Sequence, residues 1–355
     1  MIRRRKFLAG MTAGTAVVAL TPRIAFTADP ASNKRRIMTV GGPVPVSALG
    51  IILPHEHITT DFVGAEKFIQ PRYSRDQATT VILPRLKALR ERGITALCEC
   101  TPNYIGRDVR LLRRLAEASG IHIVTNTGYY GAVGNKYLPR HAHEETAEQL
   151  AARWLREWTD GIDGTGIKPG FIKLGVDHGK LPPLHEKLVR AAARMHRKSD
   201  LTICIHTGDG EAALDEFRVL EDEGIRPDAF VWVHAQNDSG PVQIELAKRG
   251  AWVSLDGYSL SAGTPERYRD WLVALKEAGC LNRVLVSHDD GWAVEGDQER
   301  STGLKLFGNG NPDPYTSILT RLLPDLSAAG FSQSELDQLI MRNPAEALAS
   351  SAHAR

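Results

Sequence analysis

The sequence predicts an α/β fold in the form of a (β/α)₈ TIM barrel, with a short N-terminal hairpin and extra C-terminal helices. After residue 37 the chain alternates between short β-branched runs and amphipathic helical segments, which is typical of a parallel sheet covered by helices. Eight such runs favour closure into a barrel over an open, doubly wound sheet. No Gly-x-Gly-x-x-Gly motif follows the first strand, so a dinucleotide-binding fold is less well supported.

The elements of this barrel can be placed along the chain. The eight strands are predicted at residues 51–54, 95–100, 122–127, 171–174, 201–205, 230–233, 252–255 and 284–287. The helices between them are predicted at residues 76–92, 108–119, 144–160, 184–198, 211–223, 242–249 and 265–278. Several helical segments are followed by a glycine, such as Gly93, Gly120 and Gly224, in the position where helices commonly stop.

The remaining segments flank the barrel. Residues 37–50, with Gly41, Gly42 and Pro43, predict a short hairpin that leads into the first strand. Residues 291–314 are rich in Gly, Asn and Pro and are predicted as a long loop, followed by three further helices that end near residue 350. Because no internal repeat and no linker interrupts the pattern, residues 37–350 are predicted to form a single domain.

Residues 1–28 predict a twin-arginine signal peptide. Arg3, Arg4, Arg5 and Lys6 precede a mildly apolar stretch without charge, which ends in small residues. A membrane anchor is the alternative, but an anchor needs about 20 strongly apolar residues, and glycines and threonines dilute this stretch. We therefore expect export in the folded state to the periplasm, with no stable membrane insertion after the signal is removed.

The net charge argues against nucleic-acid binding, and the positions of the cysteines argue against a disulfide or a cysteine metal site. The whole chain has 44 Lys and Arg against 42 Asp and Glu. Removal of residues 1–28 takes away five basic residues and leaves a net charge of about −3, with no basic stripe that would favour nucleic acid. The four cysteines lie inside apolar runs and are predicted as core thiols rather than as a disulfide or metal site: Cys98, Cys100, Cys204 and Cys280.

Candidate metal ligands stand at the carboxyl ends of the predicted strands. In a (β/α)₈ barrel these ends meet at one mouth, where the chemistry takes place. His55 and His57 end the first strand and face the same way, because side chains at i and i+2 of a strand share a face. His206, His234 and Asp289 end the fifth, sixth and eighth strands. Each histidine alone could be structural, but the set of five at one mouth predicts a metal site.

The fourth strand contributes Lys173, flanked by Ile172 and Leu174. Burial on a parallel strand disfavours a charged amine. A neutral amine can react with carbon dioxide to give a carbamate, which would supply an anionic bridge between two cations. The alternative is a lysine paired with a carboxylate inside the barrel, such as Glu99.

In these residues at the strand ends, the chain resembles the phosphotriesterase family, including its lactonase relatives, within the amidohydrolase superfamily. The resemblance covers about residues 39–349. Its matching segments are Leu53-Pro54-His55-Glu56-His57-Ile58, Ile105-Gly106-Arg107-Asp108-Val109, Phe171-Ile172-Lys173, His206-Thr207, His234, Leu285-Val286-Ser287-His288-Asp289 and Asn343-Pro344-Ala345. All six candidate metal ligands fall on the family's ligand positions, in the same order.

The resemblance implies a binuclear metal centre. In the family pattern the more buried ion is held by His55, His57 and Asp289, and the more exposed ion by His206 and His234. Two divalent ions, Zn²⁺ in the first place and otherwise Co²⁺, Mn²⁺ or Fe²⁺, suit imidazole and carboxylate ligands. The implied bridges between the ions are N6-carboxylysine at position 173 and a hydroxide, with Asp289 as the catalytic group that takes the proton.

The implied activity is hydrolysis of a small ester or lactone, with promiscuous action on organophosphate triesters. A dedicated phosphotriesterase (aryldialkylphosphatase) is the alternative. A non-catalytic periplasmic binding protein is a third hypothesis, but such a protein should have lost metal ligands, and none of the six is missing. The resemblance also implies a homodimer.

The chain departs from the family pattern near the mouth. Relatives place an acidic residue three positions after the histidine of the sixth strand, whereas this chain has Asn237 there and Asp238 one position later. Gly257 stands where lactonase relatives tend to carry an arginine, and Tyr130 resembles the lactonase tyrosine. We expect Tyr130 and Trp292 to contact substrate, with Trp292 and Phe307 forming an apolar wall.

Overall fold

The computed structural model describes residues 35–68, 71–296, 301–308, 311 and 313–350, and shows a (β/α)₈ TIM barrel. The predicted signal peptide lies outside the described residues. The eight barrel strands are Ile51–Glu56, Ile94–Glu99, His122–Val124 continued by Asn126–Thr127, Phe171–Gly175, Ile203–His206, Phe230–Val233, Trp252–Leu255 and Val284–Val286. All eight predicted strands are confirmed, with ends that differ by at most two residues.

The strands pair in parallel with their neighbours in sequence. Thr125 interrupts the third strand, whose first half pairs with the second strand and whose second half pairs with the fourth. The eighth strand approaches the first where Asp289 N–H donates to the His55 carbonyl at 3.2 Å. His55 N–H in turn donates to Ser287 Oγ at 3.1 Å. These two hydrogen bonds join the eighth strand to the first and so close the barrel at the predicted site.

The helices surround the barrel in the predicted order. They are Arg75–Glu91, Val109–Ser119, Ala147–Asp160, Pro183–Ser199, Gly210–Asp222, Pro241–Lys248 and Thr264–Glu277. The segment predicted as one helix over 144–160 is divided, because a short helix at Arg140–Glu144 ends before Thr146. Thr146 then begins the next helix through a capping box with Gln149, which satisfies N–H groups that a helix start leaves free.

The flanking segments close the bottom and side of the barrel. The predicted hairpin is confirmed as Arg36–Thr39 paired antiparallel with Gly42–Pro45. The C-terminal helices are Leu323–Ala328, Gln333–Asp337 and Asn343–Leu348, and π-helical turns at Ile318–Leu322 and Gln338–Arg342 precede two of them. Within the described part of the chain, no helix has the length and apolar character needed to cross a membrane.

The prediction of a long loop over residues 291–314 is wrong for most of its length. Gly291–Gly296 and Ser301–Phe307 form an antiparallel hairpin, and Gly291–Gly296 also pairs with Thr59–Thr60. Trp292 lies opposite Leu306 in this hairpin, and Val294 opposite Leu304. The many glycines suggested a loop, but the apolar residues alternate with the period of a strand.

The barrel interior separates an apolar floor from a polar mouth. Alternate residues of the fourth strand show this directly: Ile172 packs outward against the helices, and Phe171 packs inside against Cys204 and Leu285. Lys173, two residues after Phe171, lies on the same inner face one step nearer the mouth. All four cysteines are buried and free, as predicted.

Candidate metal centre

The six predicted ligands converge at the carboxyl ends of the barrel strands and line one pocket. The first strand brings His55 and His57, and the fourth brings Lys173. The fifth, sixth and eighth strands bring the remaining three. The six candidate ligands that line the pocket are His55, His57, Lys173, His206, His234 and Asp289. The structure therefore brings together residues that lie between positions 55 and 289 of the sequence.

The side chains are close enough to share metal ions. Asp289 Oδ1 lies 3.0 Å from His57 Nε2 and 3.2 Å from His55 Nε2. The ring centroids of His55 and His234 are 4.9 Å apart, and those of His206 and His234 are 4.4 Å apart. His55, His57 and Asp289 present ligand atoms within 4.8 Å of one another.

Two of these ligands stand on unusual backbone. His234 has φ 63° and Asp289 has φ 61°, in the left-handed region that residues other than glycine rarely adopt. Such a conformation costs on the order of 1–3 kcal/mol, and it persists where the surrounding structure enforces it. In both cases the residue follows the end of a barrel strand, and the turn directs the side chain into the mouth.

Asp256 is a buried residue beside the candidate ligands that the sequence pattern did not reveal. Its Oδ1 lies 2.6 Å from His234 Nδ1, and its Oδ2 lies 3.2 Å from His55 Nδ1. A carboxylate on Nδ1 fixes the ring and leaves Nε2 for a metal ion. Burial favours a raised pKa for Asp256, but His234 and His55 hold that pKa well below its usual value. Asp256 directly follows the seventh strand, so the rule that located the candidate ligands at strand ends could have located it too.

Other contacts hold the first strand in position. Thr101 Oγ1 lies 2.7 Å from His57 Nδ1, which orients the second histidine of the pair. Glu56 points away from the pocket, as the strand alternation predicts, and accepts hydrogen bonds from Ser287 Oγ at 2.7 Å and from Asp290 N–H at 3.0 Å. His288 Nδ1 is 2.7 Å from the same Glu56 carboxylate, so this histidine has a structural place outside the pocket lining.

The amine of Lys173 is buried and has no hydrogen-bond partner among the described residues. Its side chain is 2% exposed, and its Nζ forms no hydrogen bond with the protein. The alternative pairing with Glu99 is not formed; Glu99 instead accepts the N–H groups of Ile58 and Thr101, each at 3.3 Å. Burial raises the pKa of Glu99 to about 7. An isolated buried amine among imidazoles fits a lysine that becomes a ligand after carboxylation.

The imidazole of His206 is electrically suited to metal binding. Two causes lower the pKa of the His206 imidazole well below the ordinary value: burial, which is the larger, and the nearby charge of His234. A histidine with a lowered pKa is neutral at neutral pH, and the neutral form is the one that ligates a metal.

The departures from the family pattern have a structural basis. A Cβ at Gly257 would lie 2.6 Å from Gln236 Nε2, so the glutamine occupies the space beside the glycine. Gln236 Nε2 donates to Asp256 Oδ1 at 3.2 Å, and its Oε1 accepts the Asp256 N–H at 3.1 Å. Asn237 Nδ2 donates to the Thr207 carbonyl at 3.1 Å. Asp238 accepts the Gly240 N–H at 3.3 Å.

The pocket walls above the ligands are apolar. They are formed mainly by Phe62, Ile105, Tyr130, Val133, Tyr137 and Phe307. Among the described lining residues, Lys173 is the one lysine or arginine. Tyr130 stands over His206 with the ring centroids 4.9 Å apart.

Trp292 differs from expectation. Its side chain is buried in the core against Tyr315, with ring centroids 5.7 Å apart. Phe307, the other residue expected in the apolar wall, lies on the partner strand of the same hairpin and does line the pocket, with its ring 5.7 Å from that of His57.

A (β/α)₈ barrel with histidines and a carboxylate clustered at its mouth defines a class of enzymes, the metal-dependent barrel hydrolases. Within this class the chain belongs to the phosphotriesterase family, whose sequence profile matches residues 35–348. The family and its hydrolase members show an enzyme that acts on ester bonds of small molecules.

Individual relatives carry several names. A phosphotriesterase homology protein of Escherichia coli K12 is 29% identical, over 84% of this chain and 97% of its own length. An aryldialkylphosphatase of Saccharolobus solfataricus is 25% identical, over 68% of this chain and 77% of its own length. A solved structure described as organophosphate hydrolysis activity engineered from a weak promiscuous lactonase template is 28% identical, with a TM-score of 0.76, over 88% of this chain and 99% of that one.

Proposed function

We propose that this protein is a binuclear metal-dependent hydrolase that acts on an uncharged ester or lactone. The observation that carries this proposal is the combination of six convergent ligand side chains with an otherwise apolar wall. Metal ligands would supply the chemistry. Among the described lining residues Lys173 is the one lysine or arginine and it lies at the level of the ligands, so the apolar wall favours substrates that carry no charge.

The residues present fit two divalent ions. His55, His57 and Asp289 would hold one ion, and His206 and His234 the other. The four imidazoles and the carboxylate are donors that suit Zn²⁺, and also Co²⁺, Mn²⁺ or Fe²⁺. The buried amine of Lys173 supports the same arrangement, because N6-carboxylysine at this position would present one oxygen to each ion and would remove one positive charge.

The chain's own groups would orient the substrate and move the proton. When bound, the ions polarise a carbonyl or phosphoryl oxygen and acidify water near neutral pH. Asp289 is the proton acceptor: although burial raises the pKa of its carboxyl, His55 and His57 hold that pKa well below the usual range, so the group is ionised.

A dedicated phosphotriesterase is the second candidate, because one relative is named aryldialkylphosphatase. The two functions are separated by kcat/KM for a lactone, an aryl ester and a phosphotriester, measured on the same metal-loaded protein. We expect the lactone or the aryl ester to be fastest and the phosphotriester to be a weak side activity. A phosphotriester that is turned over fastest would reverse this order. No turnover of any substrate by protein with two bound ions would favour a binding protein.

A further inference from the structure

A left-handed turn brings a valine to the mouth of the metal pocket. Val133, Gly134 and Asn135 have φ values of 61°, 62° and 65°. Glycine and asparagine tolerate this region, but a β-branched residue does so rarely, because its Cβ crowds the backbone. Val133 is therefore the strained member of the turn.

Asp177, from the loop after the fourth strand, and His185, from the helix Pro183–Ser199, hold this turn. Asp177 Oδ1 accepts the Val133 N–H at 2.7 Å, and Oδ2 accepts the Gly134 N–H at 3.2 Å. His185 Nε2 lies 2.9 Å from Asn135 Oδ1 and 3.1 Å from the Gly131 carbonyl. The backbone conformation is thus enforced from outside the turn.

Packing does not account for the valine. Its side chain is 59% exposed, so burial against the protein offsets little of the strain. The exposed isopropyl group nevertheless lines the pocket, together with Phe62 and Phe307. Strained residues that persist without a packing benefit are found at ligand-binding positions.

We propose that Val133 is a specificity-determining residue that contacts the aliphatic or aromatic tail of an uncharged substrate, and that Asp177 is the residue that positions it. This proposal rests on the proposed function only in placing the reacting group of the substrate at the metal ligands. The tail then extends outward between Val133 and the two phenylalanines, where its burial stabilises the complex.

The strain is tested by thermal unfolding of Val133→Asn. Asparagine is tolerated in the left-handed region, so relief of strain should raise Tm by about 1–4 °C. Val81→Asn is the matched control, because Val81 is also exposed, at 46%, but lies in the helix Arg75–Glu91. The control should leave Tm unchanged or lower it, and should leave ligand binding unchanged.

The contact is tested by binding of hexanoate and acetate to the metal-loaded protein, measured by calorimetry. Carboxylates can bind at the ions without being turned over, so this result does not depend on which substrate is hydrolysed. The native protein should prefer hexanoate, and Val133→Asn should reduce that preference about tenfold, the effect expected for loss of two buried methyl groups. Asp177→Ala should reduce the preference as well, with a lower Tm.

Two results would overturn the proposal: no preference for hexanoate in the native protein, or an equal preference in Val133→Asn. Failure of the proposed function would look different, because esters and lactones would then not be hydrolysed while the hexanoate preference and its loss in Val133→Asn persisted.

Discussion

At the scale of single residues, Asp256 sets the direction of two ligand rings. It binds the Nδ1 atoms of His234 and His55 and so leaves both Nε2 atoms for metal. Asp256→Asn keeps the shape of the side chain but removes the charge that stabilises this arrangement. We expect metal affinity to fall about 10- to 100-fold, as measured by competition with a chelating dye.

Asp238→Asn is the control for this experiment. Asp238 lies four residues after His234, but its side chain accepts a hydrogen bond from Gly240 at the start of the next helix. Its replacement should leave metal affinity within about twofold, and equal losses at the two positions would show that Asp256 has no special role in orienting the imidazoles.

The sequence predicted which side chains meet at the barrel mouth better than it predicted the contacts that support them. The histidines and Asp289 could be recognised because the barrel places every strand end at one mouth. Asp256 obeys the same rule, but a single acidic residue after a strand carries little information until its partners are known. The misplacement of Trp292 has another cause: strand alternation gives the face of a side chain only once the strand itself is recognised.

At the scale of elements, the hairpin after the eighth strand supports the first-strand ligands. Gly291 begins this hairpin, and a Cβ at this position would lie 2.6 Å from both Cβ and the carbonyl oxygen of His57. Gly291→Ala must therefore displace His57 or the hairpin. We expect a lower Tm and a loss of metal from the site, measured by thermal unfolding and elemental analysis.

Gly41→Ala is the matched control for Gly291→Ala. Its added Cβ would meet nothing closer than Thr39 Oγ1 at 3.5 Å, an ordinary contact. This variant should retain the metal content of the native protein. If Gly291→Ala also retained it, the hairpin would have no part in holding the ligand.

The observed ends of the helices and strands match the predicted ends closely where the local sequence signals agree with one another. The helix that was expected over 144–160 is divided because Thr146 and Gln149 form a capping box, a start signal located inside a continuous amphipathic pattern. The paired strands Gly291–Gly296 and Ser301–Phe307 were missed for the opposite reason, since their glycines outweighed the alternation of Trp292 and Val294.

At the scale of the whole molecule, we propose that the barrel is exported to the periplasm after it has folded. The basis is the twin-arginine pattern of residues 1–28. Replacement of Arg4 and Arg5 by Lys should leave precursor in the cytoplasm while the barrel still folds. Cell fractionation measures this, and unchanged export would refute the signal.

The proposed binuclear centre depends on Lys173 as a bridge between the two ions. A protonated amine would repel two cations, whereas a carbamate would hold one on each oxygen. Lys173→Ala should therefore lower the metal content and activity, and acetate or propionate should partly restore both by filling the vacated space. Rescue by a small carboxylic acid would not be expected if the lysine had only a structural role.

The most direct measurement is the number of zinc ions bound per chain after the metals are stripped and restored with and without bicarbonate. A carbamate bridge at Lys173 predicts about two ions per chain with bicarbonate and weaker binding of the second ion without it, because the carbamate must form before that ion is held tightly. Two ions bound equally well without bicarbonate, beside a lysine that mass spectrometry shows to be unmodified, would contradict it.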